Sequence, residues 1–148
     1  MPYAPVRSLA EILDNGNVHP SLESRLRQVL AGPGRDSAEH RAGLAEQARI
    51  RRAVVGPLDA HKLDALVYPT VRRKPALIGE PPRPANTRLS AVTGLPALTA
   101  PAGFTADGLP VGMELLGRPL ADARLVALAF AYEQAVQPRR LPPTTPPL

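Results

Sequence analysis

The 148-residue chain has no cysteine and no tryptophan, and aromatic residues make up only 3% of it. Without cysteine there is no disulfide framework, thiolate zinc site, iron-sulfur cluster or cysteine nucleophile. Packing alone must stabilise the fold. No apolar run approaches the roughly 20 residues that span a bilayer. The N-terminus also lacks the basic-then-apolar plan of a signal peptide, so a cytoplasmic chain with no membrane partner is expected. Lysine is scarce as well: 16 of the 18 cations are arginine, spread from Arg7 to Arg140. A net charge of +5 and a pI near 10.4 would suit nucleic acid. The tightest groups, Arg49/Arg51/Arg52 and Arg72/Arg73/Lys74, have no interleaved aromatics on which bases could stack, which argues against a nucleic-acid partner.

Local catalytic and binding motifs are missing too. Of the five serines, Ser8 and Ser37 stand at helix starts, Ser21 and Ser24 lie in a helical segment, and Ser90 is alone near the glycine-rich centre. None occupies a G-x-S-x-G elbow. His19, His40 and His61 are too dispersed for H-E-x-x-H or any local metal pair. Neither G-x-G-x-x-G nor a Walker A run occurs. The residues therefore nominate no catalytic group, no metal and no cofactor.

What the chain has in quantity is punctuation, with 19 prolines and 11 glycines. Ser8-Leu9-Ala10-Glu11 has the form of a capping box and predicts a helix over 9–14, stopped at Asn15-Gly16-Asn17. His19-Pro20-Ser21 restarts the chain, and Leu22, Leu26, Val29 and Leu30 recur at helical spacing up to Gly32-Pro33-Gly34. A second box, Asp36-Ser37-Ala38-Glu39 with Asp as the cap, opens the longest helix, expected to run through Val55 and to kink or end at Gly56-Pro57. Leu44, Ala48 and Val55 mark its narrow apolar face, and a short further turn over 58–63 is expected.

Beyond residue 64 the period changes. Ala65-Leu66-Val67-Tyr68-Pro69-Thr70 reads as a buried strand ending at a loop, and 71–88, with four prolines, as an ordered surface loop. A helical turn over 89–92 precedes a strand over 97–104 interrupted by Pro101. Asp107-Gly108 then turns the chain into a second strand over 109–117, forming a hairpin whose register the sequence leaves open. Asp122 is placed to cap a last helix with the stripe Leu125, Leu128, Ala129, Tyr132 and Val136, and the proline-rich remainder is expected to be a solvated tail.

The order and spacing of several pieces carry a resemblance. These are Asp64-Ala65-Leu66-Val67-Tyr68-Pro69-Thr70, Asn86-Thr87, Thr93-Gly94-Leu95-Pro96-Ala97-Leu98, Pro101-Ala102-Gly103-Phe104, and the run Asp107-Gly108-Leu109-Pro110-Val111-Gly112-Met113-Glu114-Leu115-Leu116-Gly117, followed by the closing helix through Glu133. Together they resemble the C-terminal part of amidase signature enzymes. The segment 8–22, with Gly16 and His19-Pro20, is similar to the helices that precede that part. The resemblance implies an α/β fold, the C-terminal part of the amidase signature fold, with helices packed on a few strands of a mixed sheet. It divides the chain into a C-terminal portion of an amidase domain over 1–136 (helical segment 1–63, strand-rich segment 64–120, closing helix 122–136) and a Pro-rich tail over 137–148.

The chemistry the resemblance implies is hydrolysis of a carboxylic amide, or transfer of its ammonia in relatives paired with other subunits. Family catalysis uses a serine nucleophile, a second serine in a cis peptide and a lysine, all in an N-terminal part that has no counterpart in this sequence. Lys62 and Lys74 do not stand in the catalytic-lysine context, so no catalytic residue is carried over. Thr70, Asn86 and Thr93 are expected to border the substrate pocket, and Ser90 departs from the asparagine that relatives often carry there. The implied partner is an N-terminal amidase chain bearing the Ser/Ser/Lys triad, with a small-molecule amide as substrate only in the complete enzyme. The alternative is a non-catalytic binding or assembly module that reuses the scaffold as a homo-oligomer, because strands near 66, 98 and 113 would otherwise present bare edges.

Overall fold

The computed structural model describes residues 5–80, 86 and 88–141. The loop residues 81–85 and 87, and the tail from 142 onward, lie outside the described residues. The chain forms two compact units, Met1–Leu44 and Ala45–Leu148.

In the first unit α1 spans Leu9–Asp14 and α2 spans Pro20–Leu30. Ser8 caps α1 by accepting from the Glu11 amide at 3.2 Å. The Glu11 carboxylate reaches one residue further back than a standard box, accepting from the Arg7 amide at 2.7 Å. His19 caps α2 through its ring nitrogen Nδ1, which accepts from the Ser21 amide, and Pro20 fills the first helical position, where no amide is needed. Leu13 is the buried residue of α1.

α3 spans Ala38–Ala60. Two expectations are corrected here. The cap is Ser37, whose Oγ accepts from the His40 amide at 3.0 Å, not Asp36. The helix also continues through Pro57 instead of ending there. Pro57 costs one helical donor, but the turn after it is held by tertiary contacts. Leu58 is fully buried, and the Arg118 guanidinium donates to the Leu58 carbonyl at 2.7 Å and to the Leu63 carbonyl.

The second unit is built on a three-stranded antiparallel sheet of order β1-β3-β2, with β1 Leu66–Pro69, β2 Ala97–Phe104 and β3 Pro110–Leu116. The hairpin register pairs Phe104 with Pro110 and Ala97 with Leu116, with a bulge between Pro101 and Gly103. Pro101 lacks a ladder donor, and this edge strand faces β3 on one side only, where proline is tolerated. The short helix α4 (Arg88–Thr93) precedes β2, and α5 (Asp122–Val136) closes the fold. Asp122 is not the cap of α5. That place is taken by Ala121, whose carbonyl accepts from the Leu125 amide, while Asp122 sits inside the first turn and favours the helix dipole from there.

Strand alternation assigns the sheet two faces. Leu98, Ala100, Met113 and Leu115 face α5 and pack with Leu125, Leu128, Ala129 and Tyr132 into the core. Gln137 ends α5 in the left-handed conformation, and Arg140 beyond it stacks on the Phe104 ring at 4.3 Å.

Candidate functional site

The opposite face of the sheet carries a polar row next to an apolar one, in which Leu66 and Ala97 flank the fully buried Leu116. Tyr68 of β1, Glu114 of β3 and Thr99 of β2 are direct cross-strand neighbours. The next row toward the end of β1 brings Thr70, whose amide donates to the Gly112 carbonyl at 3.0 Å. A Cβ on Gly112 would lie 3.0 Å from both Thr70 Oγ1 and Thr99 Cγ2. The missing side chain is thus what lets the two threonine hydroxyls meet, Thr70 donating to Thr99 at 3.4 Å.

Glu114 is the unusual member of this row. It is 2% exposed, among the largest fully buried side chains. One carboxylate oxygen accepts from the Tyr68 hydroxyl at 2.8 Å, and the other, Oε2, has no hydrogen-bond partner among the described residues. A buried polar atom without a protein partner carries a desolvation penalty. Burial, then the hydrogen bond to Glu114 and its charge, raise the Tyr68 pKa, so the phenol stays protonated and donates.

Of the three residues nominated from sequence, the structure brings two together. Asn86 donates its amide to the Thr70 carbonyl at 3.0 Å and its Nδ2 to the Pro69 carbonyl at 2.6 Å, closing the base of the loop that leaves β1. Thr93 stands apart. It is buried, and its hydroxyl donates to the Leu89 carbonyl at 2.7 Å and accepts from the Leu95 amide, so it shapes the α4–β2 turn. Lys74, in the described part of the loop, pairs with Asp107 of the hairpin turn at 2.6 Å. That contact, with Thr105 and a backbone donor, lowers the Asp107 carboxyl to about 2.

Sequence reasoning did not single out Tyr68, Thr99 or Glu114. One signal was available: Glu114 is a lone carboxylate inside the apolar strand Pro-Val-Gly-Met-Glu-Leu-Leu. A groove of about 560 Å³ adjoins the Arg140–Phe104 stack. Its described lining of proline, glycine, phenylalanine, arginine and leucine holds no carboxylate or hydroxyl, so it offers shape without acid-base chemistry.

The family model described as Amidase matches residues 4–126. The chain belongs to the amidase family. A putative amidase from Synechocystis sp. is 33% identical over 144 residues, covering 83% of this chain and 27% of the relative. One subunit of the glutamyl-tRNA(Gln) amidotransferase from Symbiobacterium thermophilum is 34% identical over 122 residues, covering 75% of this chain and 25% of the relative. Among solved structures, the native peptide amidase from Stenotrophomonas maltophilia superposes with a TM-score of 0.70 at 31% identity, over 93% of this chain and 29% of that one. The fold is accordingly that of the amidase family, and the chain spans about a quarter of the length of the curated relatives it matches. No described helix is long and apolar enough to cross a membrane.

Proposed function

We propose that the chain is the C-terminal fragment or subunit of a cytoplasmic amidase that hydrolyses carboxylic amides to acid and ammonia or amine. The observation that carries this reading is the family match over residues 4–126 together with coverage of only 27% of a full amidase. The chain supplies core strands and pocket loops. A companion N-terminal chain supplies the serine nucleophile, the second serine and the lysine. Thr70 and Asn86 border the pocket directly by fixing the base of the loop after β1, and Thr93 acts on it through the turn it holds.

The test is co-purification from the native host, with amidase activity measured before and after the partner is removed. Recovery of a companion bearing the triad, with activity only in the joint fraction, is the expected result. Amide cleavage by the isolated chain that a serine reagent abolishes would overturn the proposal. A second reading, a non-catalytic assembly module acting as a homo-oligomer, is favoured by the exposed Val126 and Phe130, one turn apart on α5. Recovery of the chain only as a homo-oligomer, with no companion, would select it.

A further inference from the structure

Tyr68 spends its one proton on Glu114 Oε1, and Thr70 spends its one proton on Thr99. A carboxylate has acceptors only, and hydroxyl oxygens keep acceptor capacity after donating. What remains unspent across Tyr68, Thr70 and Glu114 is accepting capacity, concentrated at the buried Oε2. Of these four side chains, Thr99 alone has a proton left to give.

The complement of such a row is a group rich in N–H and poor in acceptors. A carboxylate or a carbonyl oxygen would face lone pairs and an uncompensated buried charge. An ammonium or primary amide nitrogen would meet the oxygens it needs, with the charge of Glu114 favouring the cation.

We infer that Tyr68, oriented by Glu114 and flanked by Thr70 and Thr99, forms a subsite for the nitrogen of an amine or a primary carboxamide. The inference rests on the proposed amidase function, and it assigns the nitrogen-bearing side of the amide, or an amino group elsewhere on the substrate, to this sheet face. Glu114 is a positioning residue here: it holds the phenol rotor so that the Tyr68 oxygen presents lone pairs.

The test uses the full chain alone. Methylammonium, acetamide, tetramethylammonium and acetate are titrated into the isotope-labelled protein while the amide resonances of Tyr68, Thr99 and Gly112 are followed by NMR. Methylammonium and acetamide are expected to shift them saturably, whereas tetramethylammonium, a cation without N–H, and acetate leave them in place. Tyr68→Phe should weaken methylammonium binding about tenfold, the usual effect of losing one charge-assisted bond. Glu114→Gln keeps an acceptor for Tyr68 but removes the charge, so methylammonium should weaken about tenfold while acetamide changes less than about twofold. Circular dichroism verifies that each variant is folded, and Thr99→Val, at an exposed position, carries the test if Glu114→Gln is not.

Equal shifts with tetramethylammonium, or binding that survives Tyr68→Phe and Thr99→Val, overturns the subsite. The two readings fail separately. Amine binding by a chain that never yields companion-dependent activity removes the amidase proposal and leaves the subsite, whereas companion-dependent activity without amine binding removes the subsite alone.

Discussion

Gly117 follows β3 where Leu125 of α5 comes down onto the sheet. A Cβ there would lie 3.1 to 3.3 Å from three atoms of the Leu125 side chain, which is itself 1% exposed and has no room to retreat. Gly117→Ala should therefore destabilise the chain by about 1–3 kcal/mol through overpacking, read as a lower urea midpoint with an unchanged slope. Leu125→Ala should not be a neutral remedy, since emptying the same site costs about 2–5 kcal/mol. Gly112 obeys a related rule on the opposite face, where the absent side chain is what allows Thr70 and Thr99 to meet. Of the site residues, only Thr70 and Asn86 were both nominated from sequence and found together, and they were reached through family resemblance. Tyr68 and Glu114 are 46 positions apart in the chain. Their contact depends on the β1–β3 register, which no local pattern encodes.

Elements declare themselves in the sequence wherever the signal is local. The Ser8 cap, the His19-Pro20 start, the Asp107-Gly108 turn and the α5 stripe from Leu125 to Tyr132 all fall where short-range spacing predicts them, whereas Val136, expected in the same stripe, is exposed. Pro57 is the instructive exception, because Arg118 holds the end of α3 from a distance of about 60 residues. Its planar fork reaches Asp59 at 2.9 Å and two carbonyls at once, a pattern an ammonium does not reproduce. Arg118→Lys should cost about 1–3 kcal/mol and should speed hydrogen exchange at the amides of His61 and Leu63, the bonds that close the last turn. A second long-range tie, Lys74 to Asp107, gives a pH prediction for the loop. The Asp107 carboxyl is lowered from its ordinary 3.8 to about 2. The contribution of this tie is thus complete above the ordinary value and lost as pH falls from near 4 through 2. An NMR titration should find the Asp107 midpoint near 2, and it should return toward the ordinary value in Lys74→Ala. A midpoint unmoved by that substitution would show that the loop is not held by this pair.

At the scale of the whole molecule, apolar burial is unevenly shared. Between 45 and 148 lies a continuous core of Ala100, Leu115, Leu125 and Ala129 with its packed neighbours. Between 1 and 44 Leu13 alone is buried among the described residues, while Leu22, Val29, Leu30 and Leu44 remain exposed. Short amphipathic helices gain most of their stability from tertiary burial and little from propensity, so α1 and α2 have little to hold them when the chain is alone. Apolar side chains also stand exposed on α2 and on α5. Opening free energies should accordingly differ along the sequence. Native-state hydrogen exchange is expected to find the amides of α1 and α2 exchanging through low-energy openings insensitive to small additions of urea. The amides of β3, paired on both sides, should exchange only through openings that expose large surface and steepen with urea. A single urea dependence shared by α2 and β3 would mean that the first unit unfolds only with the core. If the amidase proposal holds, adding the companion chain should raise protection in α2 or on the outer face of α5, because those are the surfaces left uncovered. Protection confined to β3 would place the companion on the sheet instead.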